Sequence, residues 1–152
     1  MFENILIVCT GNICRSPMAE AWFKHTLAVQ GINAKVSSAG IAALSGYPAD
    51  PLAKEVMLKK AIDISNHRAR QITPKMVLSS DLILVMESWQ QQKIHDMLSA
   101  SCGRVHCLGK WGGYEIPDPY KSTLSKFATV LELIELAIKE WQCRIWQTTE
   151  KR

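Results

Sequence analysis

Two short runs, Asn4-Ile5-Leu6-Ile7-Val8-Cys9 and Asp81-Leu82-Ile83-Leu84-Val85-Met86, limit the fold more than any other feature of the chain. Both are apolar without alternation, so a strand made from either must be covered on both faces, as in a parallel sheet packed between helices. Ala34 to Ser38, ending at Gly40, and Arg104 to Leu108, ending at Gly109, read as two further strands. Ser16-Pro17, Asp50-Pro51 and Thr73-Pro74 each set a capping side chain before a proline suited to a first helical turn. Ser16, Asp50 and Thr73 are therefore the expected N-caps. From Ser122 onward, Leu124, Phe127, Leu131, Ile134, Ile138 and Trp141 recur at three- and four-residue intervals, the stripe of a long closing helix. The expected fold is α/β and doubly wound: a four-stranded, mostly parallel sheet with helices on both faces.

Neither a linker nor an internal repeat divides the 152 residues, so residues 1–152 read as a single domain, with 142–152 as a frayed tail. No segment reaches the roughly 20 apolar residues that cross a bilayer. Met1 leads straight into the first strand without a basic segment or cleavage site, so a protein that is neither exported nor membrane-inserted is expected. Five cysteines, an odd number in a chain with an ample apolar core, suit a reducing cytoplasm better than a disulfide framework. The formal charge of +4 is spread along the chain and forms no dense basic run, so no nucleic-acid partner is expected.

The first strand ends in Cys9-Thr10-Gly11-Asn12-Ile13-Cys14-Arg15-Ser16-Pro17. In a doubly wound sheet ligands bind beyond the carboxyl ends of the strands, where this segment lies. Gly11 and Asn12 tolerate positive φ, so successive N–H groups can turn inward as an anion nest, and the following helix adds its positive end. Arg15 closes the loop with a planar fork that can hold two oxygens of a tetrahedral oxyanion. The same positive field should lower the Cys9 pKa and make it a nucleophile near neutral pH. Cysteine, Gly-Asn and Arg-Ser together at a strand-to-helix turn form one device for attacking phosphorus. A departing alkoxide or phenolate needs a proton, and Asp118, in Asp118-Pro119-Tyr120, is the candidate donor, kept protonated beside an apolar wall.

Taken together these residues resemble the low-molecular-weight protein tyrosine phosphatases over most of the chain. The loop from Cys9 to Pro17 and Asp118-Pro119-Tyr120 carry the likeness, supported by Ser37-Ser38-Ala39-Gly40 and His67-Arg68-Ala69-Arg70-Gln71. The resemblance implies Cys9 as nucleophile, Arg15 as phosphate ligand and Asp118 as general acid and then base, with no cofactor and no metal. Thr10, Gly11, Asn12, Ile13, Cys14 and Ser16 would complete the phosphate-binding loop. It further implies a network of Asn12, Ser16, Ser38 and His67 that holds the loop's shape, and a role for Cys14 in trapping an oxidised Cys9 as a disulfide. The first residues, Ala42 to Gly46, and Glu115 to Tyr120 look closest to the bacterial branch linked to capsule and exopolysaccharide export. Members of that branch act on membrane tyrosine autokinases, so phosphotyrosine proteins are the implied partners and inorganic phosphate the implied product and inhibitor. Leu44, Tyr47 and Tyr120 would form the substrate rim.

Two rivals use other chemistry. A thiol-dependent arsenate reductase shares such a first loop and needs two further thiols, for which Cys102 and Cys107 are available. A structural zinc module would pair Cys9 with Cys14 and Cys102 with Cys107, but leaves Arg15 beside a cation without explanation.

Overall fold

The computed structural model describes residues 2–101 and 103–146. Strands β1 (Asn4–Cys9), β2 (Lys35–Gly40), β3 (Leu82–Val85) and β4 (Val105–Cys107) form one sheet in the order β2-β1-β3-β4. Every pairing is parallel, so the sheet is wholly rather than mostly so. Each crossover carries a helix: α1 (Arg15–Val29), α2 (Pro51–Leu58) with α3 (Pro74–Leu78), and α4 (Ser88–Met97), while α5 (Leu124–Trp146) closes the chain.

The period-two geometry of a strand sorts the apolar runs into two cores. Ile5, Ile7 and Cys9, with Leu82, Leu84 and Met86, face the core shared with Phe23 of α1, Val56 of α2 and Phe127, Ile134 and Ile138 of α5. Leu6, Val8, Ile83 and Val85 face the other way, against Val77 of α3 and Ile94 of α4. All ten of these residues are at most 3% exposed, which is why neither run could alternate with polar residues.

Asp50 caps α2 by accepting the Leu52 N–H at 2.9 Å, and Thr73 caps α3 by accepting from Met76 at 3.2 Å. Ser16 does not cap α1. The helix begins at Arg15 with Cys14 at the cap position and no side-chain cap, and the Ser16 hydroxyl is turned to the loop before it. The expected fray from Gln142 is also corrected. Helix α5 continues to Trp146; Gln142 is buried, and Trp146 meets Phe23 edge-on with ring centres 6.2 Å apart. The remainder of that tail, 147–152, lies outside the described residues, as does Cys102.

The strand order reverses between β1 and β3, so the chain leaves these two neighbours toward opposite layers and opens a crevice beyond their carboxyl ends. Cys9 ends β1, and Met86-Glu87 follow β3 at the same edge.

Candidate active site

A pocket of about 200 Å³ fills this crevice, lined by the Cys9–Arg15 loop on one side and by Ala42, Leu44, Asp118 and Tyr120 on the other. The loop's shape follows from where its carbonyls go. Those of Cys9, Thr10, Gly11 and Ile13 accept from the N–H groups of Ile41, Ala42, Leu44 and Asp50 at 2.8 to 3.0 Å. That of Asn12 lies 2.7 Å from His67 Nε2, which must carry the proton there because a carbonyl can only accept. In a planar trans peptide the N–H points opposite to the C=O, so outward carbonyls leave a run of N–H groups directed at the pocket.

Asn12 holds the curve. Its φ of 61° is one that asparagine adopts more readily than most residues, and it is fully buried. Its Nδ2 donates to Ser16 Oγ at 2.7 Å and Ser38 Oγ at 3.0 Å, and its Oδ1 accepts from Arg70 N at 2.9 Å. Gly11, expected to share the positive φ, does not. Glycine is required instead at Gly40, where a Cβ would lie 2.6 Å from the Thr10 carbonyl oxygen and push the loop off β2.

Cys9 stands on the pocket floor at 3% exposure, its Sγ 2.9 Å from Ser16 Oγ. Cys14, equally buried, has its thiol pushed up strongly by burial and then by the nearby Asp50, Cys9 and Asp118, against the lowering effect of Arg15.

Arg15 is 1% exposed, and its Nη1 donates to Glu87 Oε2 at 2.6 Å and to the Ile116 carbonyl at 2.7 Å. Nη2 lies 3.7 Å from Asp118 Oδ2. The setting of Asp118 is more open than the expected apolar wall. Its side chain is 47% exposed, faces the guanidinium, and accepts the Tyr120 N–H at 3.1 Å. Leu44 and Tyr120 line the mouth, whereas Tyr47 is 60% exposed and outside the pocket lining.

Three polar residues of the site, Glu87, Gln90 and Glu20, carry no motif of their own, and Arg70 entered only within the His67–Gln71 stretch. Glu87 follows β3 and Gln90 stands in the first turn of α4; Gln90 Nε2 donates to Thr10 Oγ1 at 3.1 Å. Glu20 accepts from Ser38 Oγ at 2.5 Å, and Arg70 Nε donates to the Ser38 carbonyl at 2.8 Å. The one available signal was position: Glu87 follows a strand that must end beside Cys9. Among the described residues no three His, Cys, Asp or Glu side chains cluster as metal ligands would.

A family model described as low molecular weight phosphotyrosine protein phosphatase matches residues 4–151. The chain belongs to this family. The phosphatase is 49% identical to the probable low molecular weight protein-tyrosine-phosphatase EpsP of Ralstonia nicotianae, over 95% of this chain and 97% of the relative. It is 41% identical to the low molecular weight protein-tyrosine-phosphatase Wzb of Escherichia coli K12, over 93% and 94% of the two chains. A solved Wzb of Vibrio vulnificus in complex with benzylphosphonate superposes with a TM-score of 0.90 at 37% identity, covering 95% of this phosphatase and all of that chain. The enzyme is thus a low-molecular-weight protein tyrosine phosphatase with the α/β fold of its relatives.

Proposed function

We propose that the phosphatase hydrolyses phosphotyrosine through a covalent phosphate on Cys9. The observation that carries this reading is the floor thiol inside a loop whose carbonyls all point away from it. An entering phosphate meets inward N–H groups and, at its equatorial oxygens, the Arg15 guanidinium, whose plane is fixed because Nη1 is already held. The Cys9 thiolate attacks phosphorus, forming the S–P bond as the bond to the tyrosine oxygen breaks, and Asp118 gives its proton to that oxygen. Water then attacks phosphorus and returns a proton to Asp118, releasing inorganic phosphate and the thiolate. Asp118 reaches the same pocket, with its Oδ2 3.7 Å from Arg15 Nη2, so the proton donor and the phosphate ligand face one substrate. Thr10, Gly11, Asn12, Ile13, Cys14 and Ser16 form the binding loop, Ser38 and His67 brace it, and Leu44 and Tyr120 flank the aryl ring, with Tyr47 placed to meet only a larger substrate.

The family match over residues 4–151 supports one catalytic domain, and the identity with EpsP and Wzb supports a partner of the bacterial branch. That partner is a membrane tyrosine autokinase linked to capsule or exopolysaccharide production, met in the cytoplasm. None of the described helices is long and apolar enough to cross a membrane. The arsenate rival requires reactive second and third thiols. Burial, and next Glu115, push the Cys107 thiol up, which disfavours the thiolate such a relay needs. Rates on matched phosphotyrosine and phosphoserine peptides, without added metal, test the proposal. A floor nucleophile reached between Leu44 and Tyr120 should accept the long aryl ester and exclude the short alkyl one, and equal rates would refute it.

A further inference from the structure

The stretch from Met86 to Gln90 bonds to both ends of the phosphate loop and to the segment leading to Asp118 without lining the pocket. Gln90 is fully buried. Its Oε1 accepts the N–H groups of Met86 at 2.9 Å and Glu87 at 3.0 Å, while its Nε2 reaches Thr10 Oγ1, at the start of the phosphate loop. Glu87, whose backbone is fixed by that amide, holds Arg15 at the end of the same loop. The turn also fixes the segment that leads to Asp118. Met86 O accepts Ile116 N–H at 3.0 Å, and Ser88 N–H donates to Glu115 Oε2 at 2.8 Å, a bond that holds the Glu115 carboxyl below the usual range. Arg15 then closes the circuit by donating to the Ile116 carbonyl.

We infer that Glu87 and Gln90 are positioning residues that set the phosphate loop against the acid-bearing loop, so that Arg15 and Asp118 meet one substrate in register. This deepens the proposed mechanism and rests on the roles given there to Arg15 and Asp118. Physical reasons single out these two side chains. Arg15 is buried and has several rotatable bonds, and a cation so placed takes a single orientation only where a charged acceptor fixes it. A carboxylate alone would leave its own backbone free to shift, and the Gln90 amide removes that freedom with a reciprocal grip at the start of α4. Misplacement of catalytic groups by about 1 Å can cost on the order of a hundredfold in rate, so a brace at this distance is expected to appear in turnover rather than in stability alone.

The test compares Glu87→Gln, which removes the charge at nearly constant shape, Gln90→Ala, and Thr10→Val, which deletes the acceptor of the amide. Each is measured for kcat and KM on a phosphotyrosine peptide and on an aryl phosphate with a leaving group of low pKa. Inhibition by inorganic phosphate and the NMR signals of the Arg15 guanidinium are measured in parallel, with thermal unfolding as the control for folding. Glu87→Gln is expected to lower kcat on the peptide by about tenfold to a hundredfold, to weaken phosphate inhibition, and to merge the separate Nη signals that a locked guanidinium shows. Gln90→Ala and Thr10→Val should each lower kcat about threefold to tenfold, with the larger loss on the peptide, because the acid step suffers with the register. Their double variant should lose no more than the worse single one, since both cut the same bond.

Wild-type kinetics in Gln90→Ala and Thr10→Val, or unchanged Arg15 signals and rate in Glu87→Gln, would overturn the inference. If Glu87→Gln fails to fold, the two neutral variants decide it alone. Retention of phosphate affinity by Arg15→Ala would instead defeat the proposed role of Arg15, and the guanidinium signals of Glu87→Gln would still judge the brace.

Discussion

The two loops that meet over Cys9 are built on opposite terms. The Cys9–Ser16 loop is buried almost throughout, and each carbonyl from Cys9 to Ile13 has a partner on another segment. The segment with Asp118 and Tyr120 is about half exposed at both residues and held by one side-chain acceptor, one turn bond from Ser122 and the anchor at Ile116. The difference matches their tasks. Stabilising charge in a transition state requires donors fixed in advance, since any that must reorganise lose the benefit. A proton donor must change charge and partner within each turnover, and a carboxylate open to water and beside a cation can do so without an uncompensated buried charge. On the proposed mechanism, binding falls to the rigid loop and proton transfer to the lightly held one.

The sharpest way to break this contrast is at the rigid loop. Cys9→Ser should abolish turnover while leaving phosphate binding measurable by titration, because the cradle does not depend on the thiol. Appreciable steady-state activity would remove Cys9 as nucleophile. Arg15→Lys should fail nearly as badly despite keeping the charge, since a point cation can neither use the Glu87 and Ile116 acceptors in one plane nor grip two oxygens.

At the exposed loop the loss should be smaller and should depend on the leaving group. Asp118→Asn is expected to slow the phosphotyrosine peptide about a hundredfold and to spare esters of low leaving-group pKa in the cleavage step. A loss independent of the leaving group would make Asp118 only a turn residue.

The smallest effects should fall on the thiols that serve neither loop chemically. Cys102→Ser with Cys107→Ser should keep near-wild-type phosphatase rates, and the wild type should not reduce arsenate with thioredoxin and its reductase. Steady reduction lost in the double variant would favour the reductase instead. Cys14 also bears on stability. Its thiol is raised in the folded state, so the native form binds more protons above about pH 8.5 than the unfolded chain does. The neutral thiol therefore costs nothing at neutral pH, and stability is lost as pH rises past the unfolded value. Cys14→Ser should flatten that part of the alkaline decline in denaturant unfolding, and an unchanged slope would count against the burial argument.

How much of this was legible beforehand depended on how local the physics was. Unbroken apolar runs can only be covered strands, so the sheet class and the end at which Cys9 emerges followed from residues 4–9 and 81–86, while the strand count also needed the runs at 34–40 and 104–109. The place of the Cys9–Arg15 loop at the pocket was equally legible, because its parts are contiguous and follow directly from β1. Helix starts were legible where the cap had no competitor, at Asp50 and Thr73, and not at Ser16, whose hydroxyl is claimed by Cys9 and Asn12. Local preference cannot anticipate such claims. What bonds to the side chains of Arg15 and Thr10 arrives from more than 70 residues away, and Glu87, Gln90 and Glu20 match no pattern that marks them. Only closure of the sheet puts β3 beside β1, and with it one acidic and one amide side chain at the two ends of the phosphate loop. The exposure of Asp118 was decided in the same way: its sequence neighbours set a turn, while its environment depends on which cation the packed core presents to it.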